Sequence, residues 1–510
     1  MTTQAKQLAG PLSAAVANLC VGLQPQVSPA TAAGFREVLR RLSAPLQVAV
    51  AGRIKSGKST LVNALIGRRV APTDVGECTR LVTRFQYGTV DRVEVVFTDG
   101  RKQVLPFEAN GSIPRDLGVD VDEVSHIEAY LTNAVLRDLT VIDTPGLGSL
   151  DAASVARTES LLGAGIDPDG LDPVSRNAVA GAEAVLYVVT QGVRADDQQA
   201  LAAFTAATAS REAGPVNAIA VLNKADTIAA ETVEGSHGDT WQAAVLLAER
   251  QALTLKPRVA DVLPVIGLVA ESTETGGFTS ADADALRKLA ELDEATRETL
   301  LVSADLFVGW ECDVPVGTRT RLLEKLDLYG VRKALEAVDA EPTITAGALR
   351  RKLLDASGLH GVRAKLNAVF RSRADGIKAA AALASVTSLA AASGDPNERQ
   401  RVHDAIEVLL AKPEAHQLRL LEALTLVASG AVAMPHDLVE EVLRFGSSPD
   451  VSEQLGMRGR PPHELMAYAL ERAGWWRSFA SFGATPAQSR VAHVVHRAYF
   501  LIWQQLRGRR

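Results

Sequence analysis

Two patterns of hydrophobic and polar positions divide the chain. Between about residues 46 and 340, short β-branched apolar runs alternate with stretches of helical periodicity; the clearest runs are LQVAVAG, RVEVVFT, LTVIDTPG, AEAVLYVVT, VNAIAVLNKAD and VLPVIGL. This alternation predicts a mainly parallel sheet with helices on both faces. After about residue 341, Ala- and Leu-rich amphipathic segments replace the strand-like runs and predict an all-α bundle or stalk.

The residues before the first predicted strand have helical character. Ser28 and Pro29 suit an N-cap and a first helical position, and the helix that they open is expected to run to about Leu42. We therefore predict three units: N-terminal helices over residues 1–45 that join the bundle, an α/β domain over 46–340, and a helical bundle over 341–510. Within the last, AAALASVTSLAAAS is favoured as a buried helix over a lipid-inserting segment.

The composition of the chain agrees with this division and indicates the cellular compartment. A chain of 510 residues exceeds what one core supports, and 47% hydrophobic with 22% charged residues is typical of soluble globular proteins. The three cysteines are far apart in the chain, which favours a reducing compartment without disulfides. The N-terminus makes a poor secretory signal, and no apolar run reaches bilayer length. We expect a cytoplasmic protein whose membrane contact is peripheral, on the inner face of the plasma membrane.

The formal net charge of −6 is unevenly distributed. The segment from Arg458 to Arg510 contains nine arginines and only two acidic residues, and three of the five tryptophans lie there as well. The rest of the chain is therefore acidic, which argues against a nucleic-acid partner and leaves a basic, aromatic C-terminal region to explain.

A phosphate-binding loop separates the first predicted strand from a predicted helix. Gly52-x-x-x-x-Gly57-Lys58-Ser59 has the spacing and the context of a P-loop. Its glycines let backbone N–H groups wrap the phosphates, Lys58 reaches the β and γ phosphates, and the Ser59 hydroxyl can ligate Mg²⁺. The residues expected to bind the nucleotide here are Gly52, Lys55, Ser56, Gly57, Lys58, Ser59 and Thr60.

Two further motifs complete the site and specify the base. TVIDTPGLG provides Asp143, which can hold Mg²⁺ through water, and Gly146, whose N–H can meet the γ-phosphate. NKAD offers Asp226 to the N1 and N2 donors of guanine, Asn223 to its other edge, and the Lys224 stem to the ring face. Adenine would leave the carboxylate unpaired. The sequence therefore predicts GTP and GDP, with Mg²⁺, as ligands.

A threonine between the P-loop and the aspartate motif is needed to close over Mg²⁺ and the γ-phosphate. APTDVGECTRLVTRF offers Thr73, Thr79 and Thr83. Thr79 is favoured because it follows the flexible TDVGE and precedes an apolar run; the other two remain alternatives. A segment that orders on GTP and relaxes on hydrolysis converts the reaction into a change of shape.

Together these motifs resemble those of the bacterial dynamin-like GTPases. The likeness rests on AGRIKSGKSTLVNALIG, APTDVGECTRLVTRFQYG, VIDTPG and NKAD, followed by a long helical remainder. It implies that residues 46–340 are a dynamin-type GTPase domain, that the chain dimerises through its nucleotide face with itself or a paralogue, and that helical stalks act on the cytoplasmic membrane surface. It also points to a role in drug-stress tolerance.

The chain departs from this family in the residues that assist hydrolysis. Related dynamins carry Gln then Ser in the variable part of the P-loop, where this chain has Ile54 and Lys55. Leu147 stands where small GTPases have a water-orienting Gln. We therefore expect slow intrinsic hydrolysis. Our hypothesis is that the Lys55 ammonium replaces the family's charge-compensating cation, or acts like an arginine finger, when two domains pair; the alternative is a solvent-facing lysine.

The aromatic C-terminal region suggests a second hypothesis. A membrane-contact set is predicted there, because Trp and Arg together suit an anionic lipid surface and the helix that follows Thr485 and Pro486 is basic and amphipathic. The set comprises Trp475, Trp476, Arg477, Phe479 and Phe482. The alternative is that these aromatics seal a helical hairpin within the bundle.

Three functions compete on this sequence. A mechanochemical GTPase that remodels or maintains membranes is favoured. A GTP-binding accessory subunit that hydrolyses poorly and works with a paralogous chain is the alternative, supported by the missing Gln at both positions. A monomeric regulatory GTPase is disfavoured because the helical region lacks an RNA-binding module.

Overall fold

The computed structural model describes residues 8–53, 55–72, 81–145, 182–192, 201, 218–255, 259, 261–367, 374–412, 415–428, 430–445 and 450–508. The strands are β1 (Leu46–Gly52), β2 (Thr83–Tyr87), β3 (Arg92–Phe97), β4 (Lys102–Leu105), β5 (Val124–Leu131), β6 (Leu139–Asp143), β7 (Ala184–Thr190), β8 (Ala218–Asn223) and β9 (Val262–Val265). The α-helices are α1 (Pro11–Leu23), α2 (Pro29–Leu42), α3 (Lys58–Ile66), α4 (Thr240–Leu255), α5 (Gly267–Glu274), α6 (Ser280–Ala290), α7 (Glu294–Leu300), α8 (Ala304–Gly309), α9 (Val316–Ala340), α10 (Ala346–Ala356), α11 (Leu359–Leu366), α12 (Ala374–Ala392), α13 (Pro396–Ala411), α14 (His416–Ala428), α15 (His436–Arg444), α16 (Val451–Gln454), α17 (Pro462–Phe482) and α18 (Pro486–Gly508).

All the described strands belong to one sheet, in the order β4-β3-β5-β2-β6-β1-β7-β8-β9. From β6 to β9 along this order, neighbouring strands are parallel, so their carboxyl ends meet at one edge. β2 pairs antiparallel with β6, and β3 pairs antiparallel with β4 and β5. The predicted mainly parallel sheet is confirmed, with a mixed extension on the β4 side, in which β2 and β5 pair parallel to each other.

Both faces of the parallel part of the sheet are buried. Successive side chains of a strand point to opposite faces. In β7, Val185 and Tyr187 therefore pack in a core with α4, α6 and α9, whereas Leu186 and Val188 pack in a second core with α3 and α11. This two-sided burial explains why AEAVLYVVT is apolar without alternation.

Two helices that follow the predicted 340/341 boundary pack on the sheet domain. Leu349 and Leu353 of α10 belong to the core on one face of the sheet. Leu359 and Val362 of α11 belong to the core on the other face. The division into domains stays a prediction, but this packing favours a limit after about residue 366. The sequence identified both helices as amphipathic without revealing which surface they cover.

The N-terminal helices pack against α12 and α13 in one hydrophobic core. α2 has the predicted bounds, and the Ser28 hydroxyl oxygen accepts the Thr31 backbone N–H at 3.3 Å. Two carboxylates from the later helices hold these helix starts. Asp375 accepts the backbone N–H groups of Leu12 and Ser13 at 2.9 and 2.8 Å, where it complements the helix dipole. Glu398 accepts the Ser28 N–H at 2.8 Å.

A buried ion pair links this helical unit to the sheet. Lys378 of α12 and Glu183, which precedes β7, lie 3.2 Å apart, and each side chain is 3% exposed. The Lys378 ammonium also donates to the Arg41 carbonyl at the end of α2, and Glu183 accepts the Gln47 N–H of β1. Burial lowers the pKa of Lys378, and the Glu183 carboxylate opposes that shift. The pair therefore joins α2, α12, β1 and β7 at the edge opposite the P-loop.

The helices α14, α15, α17 and α18 form a separate core in which Glu441 is a buried hydrogen-bond centre. Trp476 donates its indole N–H to Glu441 at 2.9 Å, Tyr499 donates its hydroxyl at 2.5 Å, and Arg472 donates its Nε at 2.8 Å. Trp476 is fully buried. The prediction that Trp476 contacts a membrane is therefore wrong: its ring packs inside the bundle and its only polar atom is bonded there.

The α17–α18 hairpin ends in a tip where apolar side chains are exposed. Phe482, the last residue of α17, is 93% exposed. The Gln488 side-chain amide donates to the Ala433 carbonyl at 2.7 Å, which ties the segment 430–435 to the hairpin turn. We call these two segments, 430–435 and 482–486, the bundle tip. No helix in the described part of the chain is long and apolar enough to cross a membrane.

Candidate nucleotide-binding site

The predicted nucleotide motifs that lie in the described ranges converge at one edge of the sheet. β1 leads into the P-loop, β6 ends at Asp143, and β8 ends at Asn223. Because these strands are parallel, their carboxyl ends lie side by side around β1. Open α/β sheets bind ligands at this edge.

At two glycines of the P-loop, a side chain would collide with neighbouring atoms. Gly57 has a φ of 85°, and a Cβ there would collide with the Asn223 side-chain amide. A Cβ at Gly52 would collide with the Val188 carbonyl oxygen. Lys55 also has a left-handed φ of 60°, and its side chain is exposed. A non-glycine residue in this region is uncommon and is characteristic of functional loops.

The first turn of α3 brings together the predicted phosphate and metal groups. The Lys58 ammonium is buried and donates to the Gly52 and Arg53 carbonyls at 3.0 and 2.9 Å. The Ser59 hydroxyl donates to Asp143 Oδ2 at 2.9 Å. Burial lowers the pKa of Lys58, and the nearby Asp143 opposes that shift.

The donor set around Asp143 fits a magnesium nucleotide. Asp143 Oδ1 is buried and has no hydrogen-bond partner among the described residues. Burial raises the pKa of this carboxyl to about 6, although Lys58 and the Ser59 hydroxyl lower it. Mg²⁺ prefers oxygen ligands and takes few of them from protein when phosphates are present. The Ser59 hydroxyl and the Asp143 carboxylate, directly or through water, match that requirement.

Asn223 connects the P-loop with the helix that follows β9. Its side-chain N–H donates to the Ser56 carbonyl at 2.8 Å, and its Oδ1 accepts the Gly267 N–H at 3.0 Å. The residue is 2% exposed. The sequence predicts that Asn223 contacts the guanine edge, and this stays a prediction; its described hydrogen bonds show that the amide also bridges the P-loop and the start of α5.

The residues predicted to bind the guanine base follow β8 directly. Lys224 has a left-handed φ of 58° and is exposed, and Asp226 is half-buried in the short turn behind it. Burial raises the pKa of Asp226 to about 6; its own backbone N–H and Lys224 lower it, and Asp327 raises it. Asp327 comes from a kink inside α9, where its φ is 53°. The helical periodicity of that segment gave no indication of the kink.

Several predicted residues lie outside the described ranges. Thr79 and the alternative Thr73 fall in residues 73–80, Gly146 and Leu147 fall in residues 146–181, and Ile54 is likewise undescribed. Thr83 lies within β2, where it is buried and pairs with Asp143 across the sheet. The choice of Thr79 as the magnesium-closing residue stays a prediction.

We expect nucleotide affinity to fall as the pH drops below about 6. The pKa values of Asp143 and Asp226, both about 6, lie above the ordinary 3.8, so below pH 6 these carboxyls hold protons that Mg²⁺ and guanine must displace. Each group then costs up to about tenfold in affinity per pH unit. The dissociation constant of a fluorescent GTP analogue with Mg²⁺, measured from pH 8 to 5, tests this dependence. The exposed turn variant Asp99→Asn should behave as the wild type does, and a flat profile in a folded protein contradicts the expectation.

Comparison with known proteins agrees with this geometry. The dynamin family model matches residues 48–225. The isoniazid-induced protein IniC of Mycobacterium tuberculosis is 32% identical over 448 residues, which is 86% of each chain. A bacterial dynamin-like protein of Nostoc punctiforme is 30% identical over 119 residues, covering 20% of this chain and 17% of that one.

Solved structures give a weaker likeness. Two chains from an oligomerised bacterial dynamin pair, described as sensing and tethering membranes, cover 99% and 97% of this chain at 13% identity, and this chain covers 76% and 90% of them. Their TM-scores are 0.31 and 0.34. The family assignment accordingly rests on the sequence matches and the site, and from these the chain belongs to the dynamin family, as a bacterial dynamin-like protein similar to IniC.

Proposed function

We propose that this protein binds and hydrolyses GTP. The observation that carries the proposal is the meeting of the P-loop lysine, the Ser59–Asp143 pair and the Asp226 turn at one edge of the sheet. Phosphate release from GTP and from ATP, at equal Mg²⁺ concentration, tests it. Release from GTP alone supports the proposal, and equal rates with both nucleotides contradict it.

We further propose that two nucleotide faces pair, from two copies or from a copy and a paralogue, and that pairing completes the active site. Support comes from the sequence, where Ile54 and Leu147 cannot orient water as Gln does. Lys55 is an exposed cation of the P-loop with a left-handed backbone conformation, whereas Lys58 is buried. Its ammonium is suited to stabilise charge that develops on the phosphates once water is excluded.

Replacing Lys55 is expected to reduce GTP turnover at high protein concentration about 10- to 100-fold, because a positioned charge near the transferred phosphoryl group is lost. Initial rates of Lys55→Ala across a concentration series check this. Lys288→Ala, which removes an exposed lysine of α6, is the matched control and should keep the wild-type rate. Unchanged turnover in Lys55→Ala would leave this residue as a solvated surface lysine.

We propose that the bundle tip is the membrane contact, in place of the full membrane-contact set predicted from the sequence. Phe482 is almost fully exposed there, and the neighbouring residues 431–434 and 483–486 carry no charge. Arg477 precedes the 482–486 hairpin turn and Arg490 follows it, each within about two turns of helix, and both side chains are exposed. An apolar tip with flanking arginines suits an anionic bilayer surface. Trp475 and Phe479 stack on each other at 5.4 Å on the side of α17.

Phe482→Ser is expected to weaken binding to anionic liposomes about tenfold, since burying a phenylalanine side chain contributes about 1.5–3 kcal/mol. Co-sedimentation with phosphatidylglycerol vesicles measures the effect. Phe500→Ser is the matched control, because Phe500 is 37% exposed on the lateral face of α18 rather than at the tip. Equal losses in both variants would exclude the tip as the specific contact.

The alternative function is that of an accessory subunit that binds GTP but hydrolyses it poorly. The same two positions, Ile54 and Leu147, favour it, and the catalytic group would then come from a related chain. In either case we propose a cytoplasmic protein at the inner face of the plasma membrane. A role in drug-stress tolerance is inferred only from similarity to a protein named as isoniazid-induced.

A further inference from the structure

The short helix α5 makes polar contacts at three points along its length that connect it to the end of β8 and to the P-loop helix α3. Its first residue, Gly267, donates to Asn223 Oδ1 at 3.0 Å. Near its middle, Glu271 Oε1 accepts the Asn63 side-chain N–H at 2.7 Å. At its end, Glu274 pairs with Arg363 at 2.7 Å, and Arg363 donates to the Ala64 carbonyl at the end of α3. α5 thus lies between the carboxyl end of β8 and the P-loop helix.

Both polar atoms of the Asn63 side chain, Oδ1 and Nδ2, are hydrogen-bonded. It lies on α3, four residues after Ser59 and on the same side of the helix. Its Oδ1 accepts the Val70 and Ala71 N–H groups at 2.9 and 2.8 Å, and its Nδ2 donates to the Ala71 carbonyl at 3.0 Å as well as to Glu271. These bonds fix the orientation of the amide and, with it, the rotation of α3 about its axis.

Glu271 has no place in the nucleotide motifs, yet it is a buried carboxylate with a defined partner. It is 2% exposed, and its second oxygen lies 3.5 Å from the guanidinium of Arg69. A buried carboxylate is unfavourable unless hydrogen bonds offset its desolvation. An apolar residue would fill the same volume between α5 and α3 without that penalty, so packing alone does not explain a glutamate here.

We propose that Glu271 is a positioning residue for the proposed GTP hydrolysis: by holding Asn63 it fixes the P-loop helix, and therefore the magnesium-binding Ser59, relative to α5 and the guanine site. The inference rests on the proposed function for its relation to catalysis. Its direct consequence is narrower, since the Glu271–Asn63 bond should influence how Mg²⁺ is held by Ser59 and Asp143 more than how the base is bound.

The test compares Glu271→Gln, which keeps an oxygen acceptor for Asn63, with Glu271→Leu, which keeps the volume and removes the acceptor. The affinity of a non-hydrolysable GTP analogue is measured in the full chain, with Mg²⁺ and with EDTA. We expect Glu271→Leu to lose tenfold or more of the Mg²⁺-dependent gain in affinity while its affinity in EDTA stays within twofold. Glu271→Gln should retain the gain. The packing variant Val269→Ala, from the buried face of the same helix, should also retain it.

A uniform loss of affinity in Glu271→Leu, or the same loss in Val269→Ala, overturns the inference. Should the Glu271→Leu variant not fold, the Asn63→Asp variant replaces it in the test, because it places a second carboxylate against Glu271 without changing the shape of the side chain. Asn63→Asp must then show the same loss of Mg²⁺-dependent affinity. The measurement is separate from turnover. A wild type that binds Mg²⁺ and GTP without hydrolysing it contradicts the proposed function and leaves the inference about Glu271 testable.

Discussion

Lys58→Ala is expected to lower the rate of GTP hydrolysis by about a hundred- to a thousandfold, a larger loss of turnover than that expected for Lys55→Ala. The Lys58 ammonium lies over the P-loop, bonded to the Gly52 and Arg53 carbonyls, and it carries the positive charge in the first turn of α3. Charge that develops on the phosphoryl oxygens during transfer is stabilised by such a fixed cation, and removing one comparable donor costs about 10²–10³ in rate. The loss should therefore appear in kcat as well as in binding.

Phosphate release under saturating Mg²⁺ and GTP measures this effect, with thermal unfolding as a check that the variant folds. Lys288→Ala again serves as the control for loss of one positive charge. A residual rate within tenfold of the wild type in a folded Lys58→Ala variant would mean that phosphate binding does not use this loop.

Asp226→Asn is expected to weaken GTP binding at least about a hundredfold and to favour a xanthine nucleotide. The carboxylate of Asp226 is predicted to accept two hydrogen bonds from guanine, and a site built around such bonds rejects a mismatched partner strongly. An amide offers an N–H where guanine also offers one, whereas the 2-oxo group of xanthine can accept it. Base preference should therefore change while the phosphate contacts remain.

Competition of GTP, XTP and ATP against a fluorescent nucleotide measures the change. The exposed Asp99→Asn variant should keep the wild-type preference. If Asp226→Asn lost affinity for all three nucleotides equally, Asp226 would be a structural residue of the turn rather than the group that recognises the base.

Local features of the fold and site were predictable where the chemistry lies in consecutive residues. The strand-loop-helix sequence around Lys58 required a P-loop, and helix α3 begins at that residue. Ser28 with Pro29, and Thr485 with Pro486, marked helix starts that the structure confirms. In each case a backbone requirement, such as an N-cap acceptor or a fixed proline φ, is met by residues next to one another.

Features that depend on distant partners were not predictable. Trp476 and Phe482 lie on one helix, but Trp476 is buried because it packs in the bundle core and donates to Glu441, which precedes it by 35 residues, whereas Phe482 is exposed. Periodicity showed that α10 and α11 have apolar faces without showing that the sheet covers them. Glu271 looked like an ordinary helical glutamate, since nothing near it in sequence reveals Asn63 as its partner.

The measurement that tests the central claim most directly is GTP turnover per molecule against protein concentration, with and without phosphatidylglycerol liposomes, using Lys58→Ala as the blank. The account predicts a rate per molecule that rises with concentration, because pairing completes the site, and rises again with liposomes, because the bundle tip gathers the protein on a surface. A flat, near-zero rate despite saturable GTP binding would contradict it and would favour the accessory-subunit function.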